Sequence, residues 1–197
     1  MTEPNRNLSP AERRTYPRIP TAIPAAINIL TGDGARACVV TDLSASGAGV
    51  RIDGDVPSAE RVCRLDISWF GTFEGITVRE GDNFFGVRFV LGEAERQHLI
   101  AKLAKYVEIG LSPATDEDIL EPGRPHLMVR TMDGVTLDCD VQDITLDGVL
   151  LKADIAPPVG ELIRVGNLYG RVESYQDDAM AVVFVDMSRP GAPPPAF

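Results

Sequence analysis

Cysteine, histidine and tryptophan are scarce in this chain: 197 residues hold three, two and one of them. Cys38, Cys63 and Cys139 are odd in number and far apart, so they form neither a disulfide framework nor a CxxC metal or redox pair, and buried, reduced thiols are expected. His98 and His126 have no second histidine or cysteine at ligand spacing, which removes the common zinc patterns. A glycine-rich phosphate loop, a GxSxG elbow and an HExxH helix are all missing, so the expected protein is not an enzyme and carries no metal or cofactor. Apolar runs stay well short of the roughly 20 residues that cross a bilayer. The start, Met-Thr-Glu-Pro-Asn-Arg, lacks the apolar core of a signal peptide, and a cytoplasmic location without membrane attachment is expected.

The residues present read as many short strands. A hydrophobic share of 44% can support cores, while 18 Gly and 15 Pro punctuate the chain into turns and leave few helical stretches. Strands are predicted over 21–30, 36–41, 47–52, 61–69, 74–79 and 84–90, and closing such strands into a barrel hides their edges. Residues 93–107 change period: Leu99, Leu103 and Val107, with Ile100 and Ala104 beside them, make a helical stripe, with Glu93 and Glu95 early and Lys102 and Lys105 late as the helix dipole favours. The fold class predicted is all-β: two small antiparallel six-stranded barrels in tandem, the first followed by a C-terminal α-helix.

The second barrel is read from an internal repeat. Cys139, Asp143, Thr145 and Gly148 recur 101 residues after Cys38, Asp42, Ser44 and Gly47, and Met180–Val185 stands where the first half has Phe85–Val90. The predicted order is a flexible arm at 1–12, a first domain at 13–108, a linker at 109–123, a second barrel at 124–187 and a proline-rich tail at 188–197. Charge divides the same way. Residues 1–110 hold 14 acids and 13 bases, a net −1, whereas 111–197 hold 15 acids and 6 bases, a net −9. Such a second half repels long polyanions, so DNA and RNA are not expected partners, but a small anion held by local arginines is compatible.

Two stretches carry candidate chemistry. Arg13-Arg14-Thr-Tyr-Pro-Arg18 places guanidinium forks on a segment that Pro17 and Pro20 keep extended, and such forks bind phosphates and guanine edges bidentately. Asp42-Leu-Ser44-Ala-Ser-Gly47 ends a β-branched run with a carboxylate, a hydroxyl and a glycine that allows a tight turn. Together they suit a guanine nucleotide.

These residues resemble the PilZ domain family, whose pattern is Arg-x-x-x-Arg followed by Asp or Asn, x, Ser, x, x, Gly on a small barrel. Arg14 and Arg18 match the first half; Asp42, Ser44 and Gly47 match the second; Phe85-Gly86-Val-Arg88-Phe89 is similar to the family's closing strand. The resemblance covers about residues 11–107 and implies a cyclic di-GMP receptor. Arg14 and Arg18 would hold phosphates and guanine edges, Asp42 would accept from guanine N–H groups, and Ser44 and Gly47 would shape and bond the turn. Arg13, immediately before the motif, is what the family associates with an intercalated ligand pair, so two molecules per chain are expected. The second copy looks like a degenerate member: no arginine pair precedes it, Asp147 replaces Ser46 and Val183 replaces Arg88. It would serve to transmit the bound state to a protein partner in motility, biofilm or cell-cycle control. Two other readings remain open at this point: a nucleotide-independent interaction adaptor, and a split-barrel flavin or nucleotide enzyme.

Overall fold

A computed structural model describes residues 16–30, 32, 34–111 and 126–187. The expected arm, the tail, most of the linker, and Arg13 and Arg14 lie outside the described residues. The chain divides into two compact units, residues 1–67 with 72–100 and residues 68–71 with 101–197.

The first barrel contains β1 (Ile19–Ile29), β2 (Ala35–Ser44), β3 (Gly47–Arg51), β4 (Val62–Ile67), β5 (Gly71–Glu80) and β6 (Phe84–Phe89). They close in the order β1-β2-β3-β6-β5-β4. Alternation supplies the core, since successive side chains on a strand point to opposite faces. Ile23, Ile27, Val40, Leu43, Val50, Leu65, Ile67, Phe85 and Val87 all point inward and are fully buried. Phe73 stacks on Phe89 with ring centroids 4.8 Å apart.

Several strand boundaries differ from the sequence expectation, with β2 running on to Ser44 and β5 starting at Gly71, and two others have a plain physical reason. β1 runs through Pro20 and Pro24, with a register shift between Pro20 and Ile23. Pairing with β4 begins only at Ala25, so both prolines sit where β1 has one neighbour and a missing N–H breaks no ladder on the other side. The fourth strand stops at Ile67 instead of reaching Trp69. There the backbone reverses, with Trp69 at φ 64°, a conformation incompatible with an extended strand.

Helix α1 (Glu93–Glu108) follows. Glu95 reaches back to accept the N–H of Gly92 at 2.8 Å, which is half of a capping box. Its buried stripe is Leu99, Leu103 and Tyr106, whereas Val107, expected on that face, is 44% exposed. Steps of four and three keep the first three on one side; a second step of four rotates Val107 off it. Among the described residues, no helix is long and apolar enough to cross a membrane.

The second barrel contains β7 (His126–Thr131), β8 (Thr136–Ile144), β9 (Gly148–Ala153), β10 (Leu162–Val165), β11 (Leu168–Gln176) and β12 (Ala179–Val185). Its closure, β7-β8-β9-β12-β11-β10, is that of the first barrel strand for strand. The irregularities repeat too. Register shifts between Val40 and Asp42 and between Thr77 and Arg79 recur between Val141 and Asp143 and between Val172 and Ser174. Bulges of this kind bend a strand and re-aim its side chains, and here the first bulge precedes the motif aspartate in both copies.

Candidate functional site

The motif aspartate and the arginine segment meet on the outer face of the first barrel. Arg18 stands immediately before β1, where Ile19 pairs with Leu43 and Pro20 with Asp42, so the strand register delivers its side chain to the end of β2. Its Nη1 donates to Asp42 Oδ1 in an ion pair whose members are 24% and 25% exposed. Partial burial strengthens a charge-assisted hydrogen bond over its exposed equivalent and holds both groups in one geometry.

Ser44 and Gly47 play a different part. Ser44 is 1% exposed, and its hydroxyl donates to the carbonyl of Gly47 at 3.1 Å, closing the β2–β3 turn from within. A Cβ on Gly47 would lie 2.1 Å from the carbonyl oxygen of Val87 on β6, so only glycine lets the two backbones approach this closely. The second barrel builds the same turn: Thr145 donates to the Gly148 carbonyl at 3.1 Å, and a Cβ on Gly148 would lie 2.3 Å from the Val182 oxygen. Even the bond from the closing strand recurs, Phe89 N–H to Ser46 O at 3.1 Å and Phe184 N–H to Asp147 O at 2.7 Å. In this motif the hydroxyl and the glycine make the turn, whether or not a guanidinium faces it.

Three further residues join the site that the motif reading passed over or left without a role. Arg96 on α1 donates from Nη1 to the Ala45 carbonyl at 2.9 Å and from Nη2 to the Leu91 carbonyl at 3.2 Å. Its guanidinium also lies 5.6 Å from the centroid of the Tyr16 ring, within cation–π range. Tyr16 belongs to the arginine segment and Ala45 to the aspartate turn, so one side chain on the helix touches both halves of the motif. Arg88, opposite Gly47 on β6, is exposed and has no carboxylate within ion-pair distance among the described residues. Gly49, opposite Asp42 on β3, sits beneath its carboxylate. Arg96 had no linear signal, because 51 residues separate it from Ala45.

At the matching positions the second barrel carries different chemistry. Asp143 is exposed, and its Oδ1 accepts the N–H of the next residue, Ile144, at 2.8 Å. Opposite Gly148 stands Val183, and opposite Asp143 stands Leu150. A groove of about 700 Å³ on this barrel is lined by Asp154, Asp177 and Asp178 with Lys152, an acidic rim that repels a dianion. All three thiols are buried, and no group of three or more His, Cys, Asp or Glu side chains among the described residues is placed to hold a metal.

Known proteins match the first barrel and, in one case, most of the chain. The PilZ domain family model matches residues 12–105. No curated protein matches the chain. Among solved structures, the PilZ domain of CeSA from a cellulose-synthesizing bacterium is 20% identical with a TM-score of 0.39, covering 46% of this chain and 97% of that one. The PilZ domain of YcgR from Escherichia coli, solved with c-di-GMP, is 18% identical with a TM-score of 0.35, covering 45% and 86%. The PlzA protein of Borreliella burgdorferi, also in complex with c-di-GMP, is 10% identical with a TM-score of 0.32, covering 85% of this chain and 86% of that one. Residues 12–105 are a PilZ domain, and a second, PilZ-like barrel follows it in the same chain.

Proposed function

We propose that this protein is a cyclic di-GMP receptor whose ligand is held by the first barrel and undergoes no covalent change. The observation that carries the reading is the Arg18–Asp42 pair on the barrel's outer face. A guanidinium offers N–H donors to the O6 and N7 edge of guanine, and a carboxylate accepts from its N1–H and N2–H groups, so the pair matches a guanine in both senses. Arg14 supplies a further guanidinium from the segment ahead of Arg18, and exposed Arg88 can meet a phosphate beside the turn. Arg13 adds the charge that a second, stacked ligand needs, because two cyclic di-GMP molecules gather four negative charges in one place. Ligand binding then engages the arginine segment, and Arg96, tied to both half-motifs, hands the change to α1. The output is recognition by a protein partner in motility, biofilm or cell-cycle control.

Calorimetry with cyclic di-GMP tests the reading directly. The expected outcome is saturable binding with two ligands per chain, falling to one in Arg13→Leu while binding survives. Absence of binding by the wild-type protein would return the chain to a nucleotide-independent adaptor, and a wild-type ratio of one would remove the stacked pair.

A further inference from the structure

Two aspartates occupy the same place in the two barrels, directly after a bulge at the end of the second strand, yet only one of them faces an arginine. The residue across the ladder differs as well. Asp42 pairs with Gly49, and Asp143 pairs with Leu150. A Cβ built on Gly49 would lie 2.0 Å from Asp42 Oδ2, 2.8 Å from Asp42 Cγ and 3.0 Å from Phe84 Cζ. The carboxylate of Asp42 therefore lies flat across β3, in the volume that any other residue at position 49 would fill. Leu150 stands at the matching position of the second barrel, and there the Asp143 carboxylate accepts the N–H of Ile144.

From this we infer that Gly49 is a positioning residue of the ligand site: by leaving its place to the Asp42 carboxylate, it sets that carboxylate against Arg18, and a side chain there turns the aspartate away. The inference rests on the cyclic di-GMP reading for its effect on binding. Its geometry does not depend on that reading.

The two glycines of the turn separate position from fold. Gly47 faces the backbone of β6, which cannot move without breaking the ladder, whereas the group crowding Gly49 is the far end of a rotatable side chain. Gly49 also has no positive φ, so alanine suits its backbone. A Gly49→Ala protein should stay folded, losing no more stability than the Arg18–Asp42 coupling contributes, and should lose affinity about ten-fold or more.

The test is a thermodynamic cycle in the full chain. Calorimetry with cyclic di-GMP is run on wild type, Gly49→Ala, Asp42→Ala and the double variant. If Gly49 acts through Asp42, then Gly49→Ala weakens wild type about ten-fold or more yet changes affinity less than about two-fold once Asp42 is alanine. Unchanged affinity in Gly49→Ala, or an equal loss in both backgrounds, would overturn the proposal. A second measurement needs no ligand. The non-additivity between Arg18→Ala and Asp42→Ala in urea unfolding should be present in the natural sequence and gone with alanine at 49. Non-additivity that persists would also overturn it, and a wild type that binds no cyclic di-GMP yet shows this loss would sink the receptor reading alone.

Discussion

The two barrels of this chain share a closure order, two register irregularities and a hydrogen-bonded turn, yet their outer faces at that turn present different groups. In the first, the aspartate is held by Arg18 over a glycine, with Arg88 exposed nearby. In the second, the aspartate is bonded to its own chain, a leucine stands opposite and Asp147 stands where the first has Ser46. What persists between the copies is therefore what the barrel's turn needs, and what varies is the chemistry of the face beside it. Asp-x-Ser-x-x-Gly mixes the two: serine and glycine belong to the turn, and the aspartate pairs with an arginine in the barrel where glycine stands opposite it.

The largest expected effect falls on that difference. Arg18→Ala and Asp42→Ala should each remove about 1.5–3 kcal/mol of binding free energy, roughly a ten- to 150-fold weakening by calorimetry, while Asp143→Ala leaves affinity unchanged. An Asp143 variant that bound more weakly would break the assignment of ligand to the first barrel.

Next come the shared glycines. Gly47→Ala and Gly148→Ala each push a Cβ into a backbone carbonyl of the closing strand, so both should destabilise their own barrel by about 1–3 kcal/mol. Hydrogen exchange resolved by barrel would measure this. A silent Gly148→Ala would show that the two turns are not equivalent.

Arg96 sharpens the comparison further. A lysine cannot fork to two carbonyls and cover an aromatic face at once, so Arg96→Lys should cost about 1 kcal/mol and loosen the helix start. Reduced exchange protection at residues 93–97, together with a several-fold loss of cyclic di-GMP affinity, is the expected result. Protection in the second barrel should not move.

The smallest effect concerns alkaline pH. Burial pushes the Cys38 thiol up to about 12 and those of Cys63 and Cys139 to about 11, with Asp138 and Asp140 adding to the shift of Cys139. Above the ordinary thiol range, near pH 9, the unfolded chain loses protons that the folded chain keeps. The folded state then binds more protons than the unfolded one, so stability is fully present below about pH 9 and falls as pH rises toward 11–12. The first barrel carries two of these thiols and the second one, so urea midpoints followed barrel by barrel should fall further in the first. Equal sensitivity would count against burial as the cause.

Much of this was legible in the linear chain because it depends on neighbours in sequence. Alternation along 137–141 and the recurrence of Asp, hydroxyl and Gly 101 residues apart marked the strands, the repeat and the turn. The helix was placed to within one residue at its end, but its buried face was turned toward Val107 when Tyr106 is the residue inside. Apolar periodicity cannot distinguish two adjacent candidates when both are hydrophobic. Gly49 looked like an ordinary strand glycine, and its meaning came only with the register that sets it opposite Asp42.

By itself, then, the sequence determined the class of fold, the doubling of the barrel and the identity of the turn, since these follow from local period and from residues a few positions apart. The tertiary structure decided which members of the motif stand on the outer face of the barrel and which close the turn. A strand's side chains change face with each residue, so the bulge before Asp42, the pairing of Pro20 with Asp42 and the pairing of Asp42 with Gly49 together send that one carboxylate outward to Arg18. The same closure around Asp143 and Leu150 leaves a carboxylate bonded to its own backbone.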